Sequence, residues 1–346
     1  MCQLAAYVGD RPIAPLLLGA LEHQESYLGA SATGMAVLKG DGISLMKSTG
    51  YVAHVKATTG IQELTGTCAI AHSRLAFAPE HNTAEKSHPF LSDDGRLALM
   101  HNGVIKNHRE LWEGLRQTHT FRSYSPDADV ITDSEVAVHM LSDAVAAGKS
   151  VPGALRWMAP RIIGSFLLGV IGVGEPDTVY IANWHQPCYL ALGDDEVMFV
   201  SSKAGLKEVK DEMTNIFQPP KNSLMKLTRG KVEITKLDPA RKAPDLRLDL
   251  KFMGDRFVEV LEEKGPRTFL QMRREMHPDD LAQGYGITTR EWEALRDSGV
   301  FMVNQFIDVV EALKREDRIV EYVDRHTELG IEGTPRFMYT LRARDN

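Results

Sequence analysis

Cysteine is scarce in this chain: 346 residues contain three, Cys2, Cys68 and Cys188. An odd number without the paired spacing of a metal knuckle excludes a disulfide framework and a cysteine-ligated zinc site, so all three read as free thiols. Long hydrophobic runs are absent too. The longest, residues 166–173, is broken by Gly169 and Gly172 and falls far short of the roughly 20 residues a membrane-spanning helix needs. Nor is there an excess of positive charge. With 40 Lys+Arg against 47 Asp+Glu the net charge is −7, which leaves neither nucleic acid nor an anionic membrane as an expected partner. The first residues lack the basic flank and cleavage site of a signal peptide, and a cytoplasmic location is expected.

What is present is material for a core. Hydrophobic residues make up 43% of the chain, enough for one large domain or two ordinary ones. Ten segments, at 4–8, 34–38, 43–47, 66–72, 97–101, 166–173, 178–182, 197–201, 223–227 and 232–235, are β-branched or alternating and predict strands. Residues 12–25, 107–117, 134–147 and 152–160 carry apolar residues at helical spacing, so this part is predicted to be α+β with two packed sheets. Residues 237–244 hold two prolines and little to bury, which reads as a linker between domains at 1–240 and 245–346. Beyond it Leu250, Phe257, Val258 and Leu261 share a helical face, Thr288 and Glu291 form a capping-box pair, and 301–322 continues at helical spacing. The tail is therefore predicted to be all-helical. Its segment 281–292 has the outline of a helix-turn-helix, but from Asp245 onward 16 Lys+Arg face 21 Asp+Glu, a net −5 of the wrong sign for DNA. A packing or interface domain is expected instead.

Four short elements can carry chemistry, and each also has a plain structural reading. Cys2 follows the initiator Met1, whose removal leaves a thiol and a free α-amine on one residue. An α-amine of pKa about 7.7–8.0 is partly unprotonated near neutrality and can take the thiol proton. The plain reading is a small residue opening the first strand. Asn102-Gly103 is either the Asn-Gly turn of a hairpin or a pair of donors, one side-chain amide and one backbone N–H, converging on a developing oxyanion. Arg74 ends a buried-looking strand, and its guanidinium suits a bidentate grip on a carboxylate. Asp133 is either a helix cap or the receiver of a substrate ammonium. His72, His88 and His101 are not at metal-ligand spacing and read as structural; no metal is expected.

The order and spacing of these elements resemble the class II, N-terminal-nucleophile (Ntn), glutamine amidotransferase domain, and most of all the glutaminase half of glucosamine-6-phosphate synthase. The strings that carry the resemblance are Cys2, Ala71-His72-Ser73-Arg74, Ser87-His88-Pro89, His101-Asn102-Gly103-Val104-Ile105-Lys106-Asn107 and Thr132-Asp133-Ser134-Glu135. Gly164-Ser165-Phe166 and Phe199-Val200-Ser201-Ser202 match more weakly, and together they cover about two-thirds of the chain, to residue 236. The resemblance implies a four-layer αββα Ntn-hydrolase sandwich, here followed by the helical extension. It implies hydrolysis of the L-glutamine side-chain amide to glutamate and ammonia, with no cofactor and no metal. Cys2 would be the nucleophile that forms a thioester, its amine the base, Asn102 and Gly103 the oxyanion donors. Arg74 would hold the substrate α-carboxylate and Asp133 its α-ammonium.

The chain departs from the family pattern at two places. Gln3 stands where glycine usually follows the nucleophile, and Leu75-Ala76-Phe77-Ala78 replaces a Trp-Ala-Thr-His string that helps close over glutamine. Two lost polar contacts at about 1 kcal/mol each would lower affinity by one to two orders of magnitude. Residues 245–346 hold no phosphate-cradling glycine loop, so ammonia would pass to a separate synthase for which the tail is the docking surface. A homo-oligomer is compatible with the sequence. Two alternatives stay open: a non-catalytic glutamine-sensing or assembly subunit, and a hydrolase of another amide suited to a less polar pocket.

Overall fold

The computed structural model describes residues 2–29, 31–75, 81–242, 244, 246–300, 305–328 and 330–343. Its contacts fall into two units, residues 1–25 with 29–243, and residues 26–28 with 244–346. The first unit opens with β1 (Gln3–Val8), α1 (Ile13–Glu22) and the start of α2 (Glu25–Leu28). Then come β2 (Ala32–Lys39), β3 (Gly42–Thr49), α3 (Val52–Thr58), β4 (Cys68–Arg74), β5 (Phe90–Leu91) and β6 (Leu97–Ile105). Three helices follow: α4 (His108–Leu115), α5 (Asp133–Ala146) and α6 (Val151–Met158). The unit closes with β7 (Gly164–Gly172), β8 (Val179–Trp184), β9 (Tyr189–Leu192), β10 (Val197–Val200), β11 (Asn215–Phe217), β12 (Asn222–Thr228) and β13 (Lys231–Lys236).

These strands form two antiparallel sheets, ordered β11-β9-β10-β1-β4-β2-β3 and β13-β12-β8-β7-β6-β5. Strand alternation explains why both are buried on two faces. In β1, Leu4, Ala6 and Val8 enter one core while Ala5 and Tyr7 enter another. The first of these cores also holds Cys68 and Ile70 of β4, Ala98 and Met100 of β6 and Leu167 and Ile171 of β7, so it lies between the two sheets. The second joins the outer face of the first sheet to Ile13, Leu17 and Leu21 of α1 and Val52 and Val55 of α3. A third joins Leu97 and Leu99 of β6 and Phe166 and Leu168 of β7 to α5 and α6 through Val138, Leu141, Leu155 and Met158. Helix, sheet, sheet, helix is the expected αββα order.

All ten predicted strands and four helices are present, with ends shifted by a few residues. The short elements were not legible. β5, β9 and β11 have two to four residues each, too few to show a period, and α3 ends on Thr58 and Thr59, whose hydroxyls donate to the His54 and Val55 carbonyls. One of the two readings of Asn102-Gly103 is excluded. Asn102-Gly103 is no hairpin turn: β6 runs through it to Ile105, because Asn102 pairs with Leu167 and Gly103 with Phe166 of β7. Sheet pairing overrides the local turn signal.

The second unit contains α7 (Leu250–Lys264), α8 (Phe269–Arg274), α9 (Pro278–Gly284), α10 (Thr289–Asp297) and α11 (Gln305–Arg315). The predicted capping box is there, Thr288 Oγ1 accepting from the Glu291 N–H while the Glu291 carboxylate accepts from the Thr288 N–H. The unit is not all-helical. It ends on a hairpin of β14 (Ile319–Glu328) and β15 (Ile331–Leu341), paired from Ile319↔Leu341 to Glu328↔Ile331. Helical periodicity breaks after Arg315, Asp317 takes a positive φ, and Gly330 at φ +80° supplies the turn that a β-carbon would strain. Of the stretch 301–322 that was predicted helical, residues 305–315 are helix and 319–322 are strand, while 301–304 lie outside the described residues.

Candidate active site

Three elements of the first unit meet around the nitrogen of Cys2. β1 pairs with β4 in the register Gln3↔Ser73 and Leu4↔His72, which sets Cys2 beside Arg74 at the same end of the sheet. From the second sheet, β6 brings Asn102 within reach: the Cys2 backbone nitrogen donates to Asn102 Oδ1 at 3.1 Å. Asn102 Nδ2 is buried and makes no hydrogen bond. A buried amide donor left empty costs free energy unless a guest accepts from it, so its position suits a developing negative charge. Gly103 beside it has φ +140°, and a β-carbon there would lie 2.1 Å from the Ser165 carbonyl oxygen. Only glycine lets β6 approach β7 so closely.

Asp133 is the first residue of α5, and Thr132 is the N-cap without a side-chain capping bond. The carboxylate works across elements instead. Its Oδ2 accepts from the Ile105 N–H of β6 at 3.0 Å, and its Oδ1 accepts from Ser134 Oγ at 3.0 Å and lies 3.6 Å from His101 Nδ1. Burial alone would raise its pKa, but His101 and the Ile105 amide outweigh burial and hold the carboxyl well below the usual range. Asp133 therefore stays ionised beside the strand that carries Asn102 and Gly103. Arg74 is half-buried and donates to the Lys86 carbonyl. Burial lowers its pKa, and the nearby Cys2 and Asp133 oppose that shift.

A histidine cluster lies under these groups. Ser134 Oγ is 2.6 Å from His88 Nε2 and 2.9 Å from His101 Nδ1, His72 Nε2 is 3.1 Å from the His101 carbonyl, and His72 stacks on His88 at 4.0 Å. With the Ser134 proton directed to Asp133, both histidines donate to Ser134 Oγ. The unbonded His88 Nδ1 is then a lone pair rather than a stranded N–H group. Burial holds His72 and His88 well below the usual imidazole pKa, so both are neutral.

Other motif residues brace the site. Glu135 accepts from the N–H groups of Arg122 and Ser123, both at 2.9 Å, and Asn107 ties α4 to residues 161 and 163 through Arg161 O and Ile163 N. Lys47, whose pKa burial lowers to about 8, donates to the Ser87 and Pro89 carbonyls. The departure at Gln3 is accommodated in a buried polar slot. Ser201 Oγ accepts from the Leu4 N–H and lies 2.9 Å from Gln3 Oε1 and 3.1 Å from Gln24 Oε1. Sequence reasoning missed Gln24, which sits in a helical period like any polar residue and only folding brings to Ser201. Leu75 is half-buried, and residues 76–78 of the second departure lie outside the described residues. All five sequence-predicted site residues, Cys2, Arg74, Asn102, Gly103 and Asp133, come together.

The family model for a glutamine amidotransferase domain matches residues 72–208. Glutamine–fructose-6-phosphate aminotransferase (isomerizing) of Streptococcus pyogenes serotype M6 is 31% identical over 258 residues, covering 73% of this chain and 41% of that protein. The protein of the same description from Chlorobaculum tepidum is 33% identical over 214 residues, covering 60% and 33%. The chain thus spans about two-fifths or less of the length of these relatives. Among solved structures, the glutamine phosphoribosylpyrophosphate amidotransferase of B. subtilis aligns with TM-score 0.61 at 16% identity over 83% of this chain and 64% of that one, a likeness of fold. The first unit is a class II glutamine amidotransferase domain of the N-terminal-nucleophile kind.

Proposed function

We propose that the protein hydrolyses the side-chain amide of L-glutamine. After removal of Met1, the Cys2 amine takes the thiol proton and Sγ attacks the carboxamide carbon. The amine keeps one hydrogen on Asn102 Oδ1, which turns its lone pair toward the thiol, while Asn102 Nδ2 and the Gly103 N–H receive the oxyanion. The amine then protonates the leaving nitrogen, ammonia departs, and the thioester is hydrolysed by water to glutamate. Arg74 grips the α-carboxylate and Asp133 the α-ammonium. The observation that carries this reading is the two-sided use of Asn102, with its oxygen on the Cys2 nitrogen and its buried nitrogen unbonded.

We further infer a cytoplasmic enzyme whose ammonia goes to a synthase on a separate polypeptide. No helix among the described residues is long and apolar enough to cross a membrane. Residues 245–346 are then an extension to the 1–240 domain that meets the synthase, and their hairpin exposes Tyr322 and Val323. Glutamate formation by the purified chain, with and without a candidate synthase, tests the reading. Turnover that Cys2→Ala abolishes supports it, and glutamine binding without turnover in every condition replaces it with the sensing role.

A further inference from the structure

A second polar cluster lies farther along α5. Asp93 in the turn between β5 and β6, His119 after α4, and His139 on α5 each offer one ligand atom, and the three atoms lie within 4.8 Å of one another. His139 is six residues past Asp133, about 9 Å along the helix. His119 Nδ1 is 2.8 Å from Asp93 Oδ2, and its Nε2 is 2.9 Å from Asp143 Oδ1. A neutral imidazole has one N–H. If Nε2 donates to Asp143, Nδ1 presents a lone pair to a carboxylate oxygen, an arrangement that calls for a cation between them or a second proton. The other observation is independent. His139 is 1% exposed, neither of its ring nitrogens makes a hydrogen bond, and its Nδ1 faces the same Asp93 oxygen across 3.8 Å. The Thr120 backbone carbonyl lies close enough to oppose the lowering of its pKa by burial.

We propose that Asp93, His119 and His139 bind zinc or a similar late first-row divalent metal, with Asp143 orienting His119 from behind. Two imidazoles and one carboxylate are a donor set of borderline softness that suits such ions. A carboxylate on the far nitrogen of a ligating histidine fixes its tautomer, and Asp143 is in that position. Zinc bonds of about 2.0–2.1 Å set tetrahedral ligands about 3.4 Å apart, so side-chain rotations close the cluster. The exposed Asp93 leaves a fourth position for water. The bound ion would tie three separate segments to the helix that begins at Asp133.

The test uses the full chain as Cys2→Ala, which removes a competing thiolate, stripped with EDTA and titrated with zinc chloride by calorimetry and with cobalt chloride by visible absorption. One ion per chain is expected. His119→Ala and His139→Ala should weaken binding at least about 100-fold and Asp143→Asn about 10- to 100-fold. Because His139 is buried, Asp93→Asn on the exposed turn is the second variant, with its fold checked by circular dichroism. No stoichiometric binding, or binding that Asp93→Asn and His119→Ala leave unchanged, overturns the proposal. The first result leaves His119 as a hydrogen-bonded link between Asp93 and Asp143, and the second makes the metal adventitious.

Discussion

Helix α5 serves two histidine clusters, one at its first turn and one farther along, and they differ in the negative charge that reaches them. At the first turn His88 and His101 meet a single carboxylate, Asp133, through Ser134 Oγ and the contact with His101, and His72 stacks on His88. Farther along, His119 meets two carboxylates, Asp93 and Asp143, directly, and His139 faces Asp93 across 3.8 Å. Burial without converging charge keeps His72 and His88 neutral, His88 bonding to the Ser134 hydroxyl that donates to Asp133 and His72 to the His101 carbonyl. Burial beside converging carboxylates makes a place for a cation. The same residue type on one helix therefore serves two ends, set by the charges around it.

The largest effect that sharpens this contrast is at the nucleophile. Cys2→Ala should abolish glutamate formation while zinc binding at Asp93, His119 and His139 persists. Loss of both would mean that the two clusters form one site. Asn102→Ala should lower kcat roughly 10²–10³-fold, read by steady-state glutaminase kinetics, because it removes the proposed donor to the oxyanion. Arg74→Ala should raise KM by about 10- to 100-fold with kcat little changed, since the α-carboxylate it is proposed to hold does not react. A fall in kcat alone would move Arg74 into the chemical step.

The smallest effect concerns pH. His72 and His88 are held well below the roughly 6.5 they have when unfolded, so below pH 6.5 the unfolded chain takes up protons that the folded chain refuses. Stability should fall on acidification from that point, by about 1.4 kcal/mol per pH unit for each histidine, and not change from this source above pH 7. The depressed Asp133 works in a lower window: its contribution is present above about pH 3.9 and is lost as pH falls toward its folded value. Urea unfolding at pH 7, 6 and 5 should show a shallower decline for His88→Asn. An equal decline would remove His88 from the neutral cluster.

Much of this was legible in the sequence for a physical reason. Strands buried on both faces, such as β1 and β7, read as continuous apolar runs, and the site residues sit in short strings that one strand or one helix start displays whole. The hairpin after Asp317 was obscured by apolar residues that also fit a helical period. Gln3 looked like an intrusion because its slot is built by Gln24 and Ser201, far away in sequence. The Asp93–His119–His139 group was invisible for the same reason: three segments with no common spacing meet only when β5, β6 and α5 pack.

Cys2 is proposed to act as a free-amine nucleophile on glutamine. The most direct measurement is the intact mass of the purified chain before and after incubation with 6-diazo-5-oxo-L-norleucine, an electrophile shaped like glutamine. Loss of Met1 followed by one covalent adduct mapped to Cys2 is the expected result. Retained Met1, or a free terminus that gains no adduct even with a synthase partner present, would contradict it.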